Sequence, residues 1–567
     1  MLAISAVARL ALAFVPSMWL WGLNVQRFLA TAAAWAPWAA AALALHPAVA
    51  RALLPALARA GNALARPRGV VVAALLAAIL VLALPDRVRF VGDFLLRQGT
   101  VEQAGRPAVL FPQALPLDVL LHYTLPRTLV DMHLLAANGA ARALGALEAA
   151  LLAALAVAFA RGLAMRDAAA LATAAVVFFG GTLTMFTGLG KAFTEMVLLV
   201  AALGVFGLRV LRERRGLLPL AATLAAGLAL HRSALGLVPA AALAFAWGAR
   251  PHAAEGEAVL RHPKAEWLTA VSIAVLALAV MLPRIVATIL RWDPIHLTPP
   301  EVREQGVVRA AFAGTRPADL LSLVTALSPL ALAIPPVAIL LGRIPGRGRE
   351  LALLSALAVP FVLSMPLLHP AQGLFRDWDD FAGAGEALSL VAAWLVAETL
   401  RAAPGRAWLA SGVTLAATTA ALQWLAHFTD IERGLTRVEA FMSEPPRRTD
   451  VERGKTWDYL GIRNFRLERW DAAARAFARA AETSPSPRIL LEWGTAELRR
   501  GDFRAAQPLF RRVIAANPKD VHAWSGLAAA AMALDQRDEA RRAAEEVLRL
   551  SPGDAFARRT LERLGAP

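Results

Sequence analysis

Short polar groups interrupt the apolar N-terminal part of this sequence, and the first is the segment from Arg89 to Asp93. Its Gly–Asp step favours a turn, which leaves the Asp93 carboxylate close to the end of an apolar stretch. A carboxylate in that place is suited to general-base catalysis or to binding a metal ion. The alternative is an aspartate that only caps a helix or closes a turn.

Two further groups supply cations. Lys191 and Glu195 have the i, i+4 spacing of a helix, and they form either part of a site or a surface ion pair worth about 0.2–0.5 kcal/mol. His231 and Arg232 separate two apolar stretches. Ionisable residues near membrane depth are costly and often functional, although a residue at a helix end can reach the interface instead. We expect His231 and Arg232 to bind an anionic phosphate.

The last group is the acidic and aromatic run F-R-D-W-D-D-F at residues 375–381. Asp377 and Asp379 have the two-residue spacing of carboxylates that hold a divalent ion on a phosphate, and Arg376 precedes them. A two-residue spacing alone is common by chance, so metal binding at this pair is only one interpretation. The chain has no cysteine, which excludes disulfides, thiolate metal sites and cysteine nucleophiles.

The elements that must position these groups are apolar. Of the 567 residues 58% are hydrophobic and only 18% are charged, whereas soluble domains have about a quarter charged residues. Stretches of roughly membrane-spanning length recur along the chain. They lie near residues 3–22, 30–50, 69–84, 142–160, 168–186, 195–208, 217–231, 234–248, 266–283, 319–342, 350–367, 383–400 and 407–426. We therefore predict an all-α bundle of about thirteen transmembrane helices.

Arginines fix the expected orientation of this bundle. They fall in every second loop, for example at Arg51, Arg161, Arg209 and Arg401, and such loops remain in the cytoplasm. The N-terminus is then cytoplasmic, and the long loops and all four polar groups lie on the external face. The formal charge of +16 is explained by these topology signals, and with only two tyrosines and no reading module we expect no nucleic-acid partner.

The end of the chain carries an internal repeat with the length and pattern of tetratricopeptide (TPR) units. Matching positions in three successive units are occupied by Trp457, Gly461, Ala473, Phe477, Ala480 and Pro485, then Leu490, Gly494, Ala506, Phe510 and Pro518, then Trp524, Ala528, Ala540 and Pro552. Small residues let paired helices approach, aromatic residues fill the gap between them, and proline ends each second helix. The sequence predicts a TPR α-solenoid of about three repeats that binds a protein or peptide partner.

The membrane part resembles the GT-C-type glycosyltransferases that use polyprenyl-phosphate-linked sugars, in particular bacterial relatives of the dolichyl-phosphate-mannose protein mannosyltransferases. The resemblance covers residues 69–430 and rests on Gly92–Asp93, on the turn from Phe186 to Glu195, on Leu230–Ala234 and on Arg376–Asp379. Two extra spans in residues 1–68 precede it. A linker at 431–452 and the TPR domain at 453–567 follow, and eukaryotic multi-spanning O-mannosyltransferases also carry a TPR tail outside the membrane.

The resemblance implies an inner-membrane enzyme that transfers a sugar, with inversion, from a polyprenyl-phosphate donor to an acceptor hydroxyl on the external face. It places Asp93 as the catalytic base. It places at the donor phosphate the cations Lys191, His231, Arg232 and Arg376, with Glu195, Asp377 and Asp379 as accessory acids. No certain cofactor is implied, and Asp377 and Asp379 are the candidate ligands for a divalent metal. The TPR domain is expected in the periplasm.

Two other functions fit the same layout. A ligase or polymerase of lipid-linked glycans, similar to O-antigen ligases, is also polytopic and faces outward, but it depends mainly on one large external loop. A non-catalytic membrane anchor that presents a TPR scaffold would need no converging polar groups within the membrane part. The spread of polar residues over four loops favours sugar transfer over both alternatives.

Overall fold

The computed structural model describes residues 2–249, 263–342 and 344–565. Every regular element in these ranges is a helix, and the same ranges contain no strand. The all-α prediction is therefore confirmed for the described chain. Two compact units divide the molecule, Met1–Arg437 and Val438–Pro567.

The first unit contains long helices joined by short ones. Its α-helices are α1 Leu2–Leu12, α2 Thr31–Leu43, α3 Pro47–Leu64, α4 Pro67–Ala83, α5 Phe94–Glu102, α6 Pro107–Leu110, α7 Pro116–Val119, α8 Leu125–Asp131, α9 Ala137–Gly162, α10 Asp167–Phe178, α11 Phe193–Arg212, α12 Leu217–Leu230, α13 Val238–Ala249, α14 Lys264–Trp292, α15 Pro294–Leu297, α16 Pro300–Gln305, α17 Val307–Ala311, α18 Arg316–Leu327, α19 Ile334–Leu341, α20 Gly348–Leu367, α21 Ala382–Ala402 and α22 Leu409–Thr429. Short 3-10 turns occur at Val25–Phe28, Gly181–Thr187, Arg232–Leu237, Ala331–Ala333, Trp378–Phe381 and Pro404–Arg406, and a π turn at Leu120–Thr124.

Each of the thirteen apolar stretches overlaps a helix, but the helices differ in their ability to cross a bilayer. In the described chain seven helical segments are long and apolar enough, or nine if the bent pairs α2–α3 and α18–α19 each count as one span. These pairs bend by 98° and 104°. Helix α1 has 11 residues and so is about 17 Å long, well short of a hydrocarbon core of about 30 Å. The number thirteen stays a prediction.

Helix α11 lies in the interior of the first unit, against α9, α12, α20 and α21. Two glycines on α11 permit this close packing. A Cβ at Gly204 would lie 2.8 Å from Leu390 of α21, and one at Gly207 would lie 2.7 Å from Leu353 of α20. Small residues of this kind let helix backbones approach closely. Close packing of this type can hold helices together without a hydrophobic driving force between them. The ends of these closely packed helices carry the polar loops.

Helix α23, Ile431–Ser443, contains the boundary between the two units and occupies much of the predicted linker. The repeat helices follow as α24 Asp450–Arg466, α25 Trp470–Thr483, α26 Pro487–Arg500, α27 Phe503–Ala516, α28 Val521–Ala533, α29 Arg537–Leu550 and α30 Ala555–Arg563. Side chains cap several of their first turns: Thr449 forms a capping box with Glu452, and Ser486 and Asp520 accept backbone hydrogen bonds. The array starts three residues before the predicted Arg453.

Aromatic rings fill the interior of the array, though not all at the predicted positions. Phe477 and Phe510 are each 1% exposed. A Cβ at Gly494 would lie 3.0 Å from the Phe510 ring, and a Cβ at Gly526 of the next unit would lie 2.4 Å from it. Trp524, by contrast, is only half-buried at the edge of the core, where its indole N–H donates to the Pro518 carbonyl at 2.9 Å. Phenylalanine rather than tryptophan therefore fills the gap between these helices.

Candidate active site

A cavity of about 400 Å³ in the first unit collects most of the side chains singled out from the sequence. Asp93, Lys191, His231, Arg232 and Asp377 all line it. This volume lies within the range of small-molecule sites, about 300–1,000 Å³. Four loops that are far apart in the sequence therefore meet at one cavity.

Asp93 occupies the position before the first turn of α5, yet in the described chain its side chain caps no helix. Its Oδ1 instead accepts a hydrogen bond from Gln372 Nε2 at 3.0 Å. Burial raises the pKa of Asp93, but Lys191, Arg97 and Arg376 together lower it below its ordinary value. The carboxylate is therefore ionised at neutral pH and faces the cavity, so helix capping does not explain this aspartate.

Gly92 sets the position of this carboxylate. Its φ of +50° lies in the left-handed region that favours glycine, and its N–H donates to the Arg376 carbonyl at 3.1 Å. A Cβ at Gly92 would lie 2.9 Å from Lys191 Nζ and 3.0 Å from Asp379 Oδ2. The backbone beside Asp93 thus touches a buried ion pair with no room for a side chain.

Lys191 is 8% exposed and joins three of the four polar loops. Its Nζ lies 2.8 Å from Asp379 Oδ2 and 3.3 Å from Asp380 Oδ1. The ammonium also lies 4.7 Å from the centre of the Phe193 ring. Burial lowers the pKa of Lys191, but Asp379, Asp380 and Asp93 raise it above its ordinary value. Lys191 is therefore a fixed cation at the cavity wall.

Arginine and aspartate pairs form much of the remaining polar wall. Arg97 donates to both carboxylate oxygens of Asp118, at 3.0 and 3.3 Å. Burial raises the pKa of Asp118, but Arg97 and His122 hold this pKa well below its usual range. On another side Arg232 Nε donates to Asp293 Oδ2 at 2.6 Å. The cavity thus presents several cations, each already shared with a carboxylate.

His231 lies at the end of α12 and is held on both ring nitrogens. Nδ1 is 2.8 Å from Ser233 Oγ, and Nε2 is 3.0 Å from an Arg232 guanidinium nitrogen. Burial and the Arg232 charge lower the pKa of His231 well below its ordinary value. The imidazole is therefore neutral near pH 7. Its Nε2 accepts from the Arg232 guanidinium and so holds that cation in place, and the positive charge on this loop belongs to Arg232.

The acidic loop divides its side chains between the cavity and the interior. Asp377 lines the cavity, and its Oδ2 accepts the Gln372 N–H at 2.9 Å. Burial and the nearby Asp380 raise the pKa of Asp377 well above its ordinary value. Asp379 is 0% exposed and faces Lys191, while the Arg376 guanidinium lies 5.9 Å from the centre of the Phe90 ring. Asp379 and Arg376 therefore support the wall and do not line it.

Glu195 also lies away from the cavity wall. Its Oε1 is 3.0 Å from His122 Nε2, and its Oε2 accepts a hydrogen bond from Thr194 at 3.0 Å. The expected pair of Lys191 and Glu195 is replaced by separate partners, because Lys191 precedes helix α11 and points toward the acidic loop while Glu195 lies in its first turn.

Several residues in or next to the cavity have weaker signals in the sequence. Arg97 lies four residues after Asp93, and His122 lies four after Asp118, both of which are helical spacings that bring side chains together. Gln372 and Asp293 carry no such local pattern, because their importance comes from contacts with distant loops. A carboxylate, fixed cations and neutral polar groups around one cavity are the components needed to deprotonate a hydroxyl and stabilise a departing anion.

Comparisons with known proteins inform the C-terminal unit. Residues 491–555 match the tetratricopeptide repeat family, so the predicted C-terminal TPR region is confirmed over these residues. Similar solved structures include the Arabidopsis OM64 TPR domain (19% identity, 21% of this chain, 98% of that chain, TM-score 0.20). They also include the first TPR of Spaghetti (RPAP3) bound to the HSP90 peptide SRMEEVD (23% identity, 20% and 91%, TM-score 0.20) and the first TPR domain of human RPAP3 (24% identity, 20% and 89%, TM-score 0.19). No curated protein matches the chain.

Proposed function

We propose that the first unit is a membrane glycosyltransferase that moves a sugar from a polyprenyl-phosphate donor to an acceptor hydroxyl. One observation carries the proposal: the Asp93 carboxylate caps no helix and faces a cavity of about 400 Å³ whose wall includes the Lys191 and Arg232 cations. An aspartate with only a structural role would accept a hydrogen bond from a backbone N–H of its own turn. Asp93 is instead held by a distant side chain, Gln372, and lines the cavity, which supports a role as general base.

Apolar surface supports a location in the membrane. Only 22% of an apolar 18-residue stretch of α14 is buried. The helix exposes Leu268, Val275, Leu276 and Val280. Exposed apolar faces of this extent mark surfaces that contact a partner or lipid. We propose a bacterial inner membrane protein with a cytoplasmic N-terminus, with the cavity and the TPR array outside the cytoplasm, as the arginine distribution indicates.

The proposed reaction needs one base and several cations. Asp93 takes the proton of the acceptor hydroxyl while the oxygen of that hydroxyl forms a bond to the anomeric carbon of the sugar. The bond from that carbon to the phosphate oxygen breaks, and its electron pair leaves with the lipid phosphate, so the configuration inverts. Lys191, Arg97 and Arg232 stabilise the charge that develops on the phosphate, and His231 holds the Arg232 guanidinium in place.

The decisive variant is Asp93→Asn, which keeps shape and hydrogen bonding but removes the base. We expect sugar transfer to fall by about two to four orders of magnitude, while donor binding and the melting temperature change little. The measurement is transfer from a polyprenyl-phosphate-linked hexose, with donor binding and melting followed on the same samples. Asp86→Asn is the control, because Asp86 lies in the same loop and accepts an ordinary turn hydrogen bond from Arg89 N at 2.8 Å.

Transfer by Asp93→Asn at the parent rate would remove the base from this mechanism. Donor specificity separates the enzymes, since a glycan ligase would need a lipid-linked glycan and would leave the monosaccharide donor unused. A parent protein that binds no lipid phosphate of either kind would leave the membrane-anchored TPR scaffold as the function.

The TPR array supports a second, compatible activity. We propose that it binds a segment of a partner protein, because arrays of paired helices form an extended concave surface suited to peptides. The family match at residues 491–555 supports this role.

A further inference from the structure

A buried cluster next to the cavity joins three helical elements of the first unit. His122 lies in the π turn Leu120–Thr124, Glu148 in the middle of α9, and Glu195 in the first turn of α11. One ligand atom from each of the three lies within 4.8 Å of the others. Turns of the π type inside helices are frequent at functional sites. These three residues are absent from the mechanism proposed above.

The geometry points to a divalent metal site of the zinc or manganese class at His122, Glu148 and Glu195, which we propose as a property separate from sugar transfer. One imidazole and two carboxylates form a ligand set that such ions accept, and three protein ligands leave a position for water. His122 Nε2 and Glu195 Oε1 are already 3.0 Å apart, close to the separation of two atoms bound at about 2.1 Å to the same ion.

An oxygen of Glu148 gives independent support. Glu148 is 3% exposed, and among the described residues no hydrogen-bond partner reaches its Oε1. A buried carboxylate oxygen without a partner is costly, and most such atoms in proteins are satisfied. One oxygen of the same carboxylate belongs to the set that converges on His122 and Glu195. In the metal-bound form two carboxylates and a neutral imidazole would carry two negative charges, which one divalent cation would balance.

The surroundings of His122 and Glu195 are those of metal ligands. His122 Nδ1 is 2.8 Å from Asp118 Oδ1, which leaves Nε2 directed into the cluster. Histidine ligands commonly donate their second ring N–H to a carboxylate in this way, and the contact fixes the ring orientation. Thr194 Oγ1 donates to the other oxygen of Glu195. Asp118 is in turn held by Arg97 of the cavity wall, so it acts as a positioning residue between the two sites.

Metal content tests the proposal directly. The full chain is purified in detergent through a tag that binds no metal, and its metals are measured by mass spectrometry before and after chelation. We expect near-stoichiometric zinc or manganese, a melting temperature that falls on chelation, and recovery when Zn²⁺ or Mn²⁺ alone is returned. The proposal would be overturned if the parent protein contained neither metal and its melting temperature did not change when either ion was added. Protons rather than a metal ion would then balance the charge of the cluster.

Variants assign the ligands. Glu148→Gln should lose the metal, whereas Glu386→Gln should keep it, because Glu386 is an equally buried glutamate of α21 outside the cluster. Asp118→Asn should retain the site with about 10–100-fold weaker affinity, as expected when a partner of a histidine ligand is changed. Parent-like metal content and affinity in Glu148→Gln and Asp118→Asn would also overturn the assignment. None of these readouts involves sugar transfer, so they fail or succeed independently of the proposed enzyme activity.

Discussion

At the scale of single residues, the ion pair between Lys191 and Asp379 can be tested without knowing the substrate. Removing one member of a buried pair leaves the other charge without compensation, at a cost of about 3–5 kcal/mol. We expect Lys191→Met to lower the melting temperature strongly, since Asp379 is 0% exposed. The double variant with Asp379→Asn should recover much of that loss, and thermal melting of all three proteins in detergent measures it.

An exposed pair provides the control for this prediction. Arg433 and Asp430 are 3.3 Å apart with side chains 46% and 35% exposed, and exposed pairs contribute about 0–1 kcal/mol. Arg433→Met should therefore melt close to the parent. Equal losses in Lys191→Met and Arg433→Met would mean that the buried position of Lys191 has no special energetic role.

The sequence could indicate which loops supply the cavity, but it could not separate the side chains that face the cavity from those beside it that do not. The arginine alternation assigned Asp93, Lys191, His231 and Asp377 to one side of the membrane, and these residues do share one cavity. Glu195 has its own partners instead, because side-chain direction depends on the turn at the start of α11. Cross-loop partners such as Gln372 leave no trace in local spacing.

At the scale of elements, the repeat helices depend on Phe510. Its ring is 1% exposed and lies between helices of two units, so Phe510→Ala should destabilise the array by about 3–5 kcal/mol. Trp524→Ala should cost less, because Trp524 is only half-buried. Urea unfolding of a fragment that begins near residue 444 measures both, and this start keeps the capping box of Thr449 and Glu452.

A larger loss in Trp524→Ala than in Phe510→Ala would contradict this account of the core. The repeat spacing predicted the helix pairs because small residues and prolines recur at fixed intervals. It could not rank Trp524 against Phe510, since both are large and apolar and their burial depends on the next unit.

Hydropathy likewise found the stretches at 30–50 and 319–342 but not the bends of 98° and 104°, because an average over a stretch of residues carries no information about direction.

At the scale of the whole molecule, the proposed orientation depends on an odd number of membrane crossings. Seven, nine and thirteen are all odd, and each puts the two ends of the membrane part on opposite sides. A reporter enzyme that is active only outside the cytoplasm should therefore work when fused after the last residue. The same reporter fused after Arg215, in the loop between α11 and α12, should be inactive.

Activity of the Arg215 fusion together with silence of the C-terminal fusion would invert the orientation. It would also move the cavity residues to the cytoplasmic face, where an externally presented lipid-linked sugar cannot reach them. Activity of both fusions would show that an even number of segments crosses between these two points, so the test also constrains the number of spans.

The position of Phe510 has a consequence for how the TPR array unfolds. Because one ring lies against Gly494 of its own unit and Gly526 of the next, neither unit can open without removing the other's interior contact. Part of the free energy of folding then comes from the junctions between units, in addition to the contribution of each unit. Fraying of an end repeat would expose a shared ring, so the array should behave as one cooperative block that resists proteases along its whole length. A segment bound at one end would hold the opposite end closed as well.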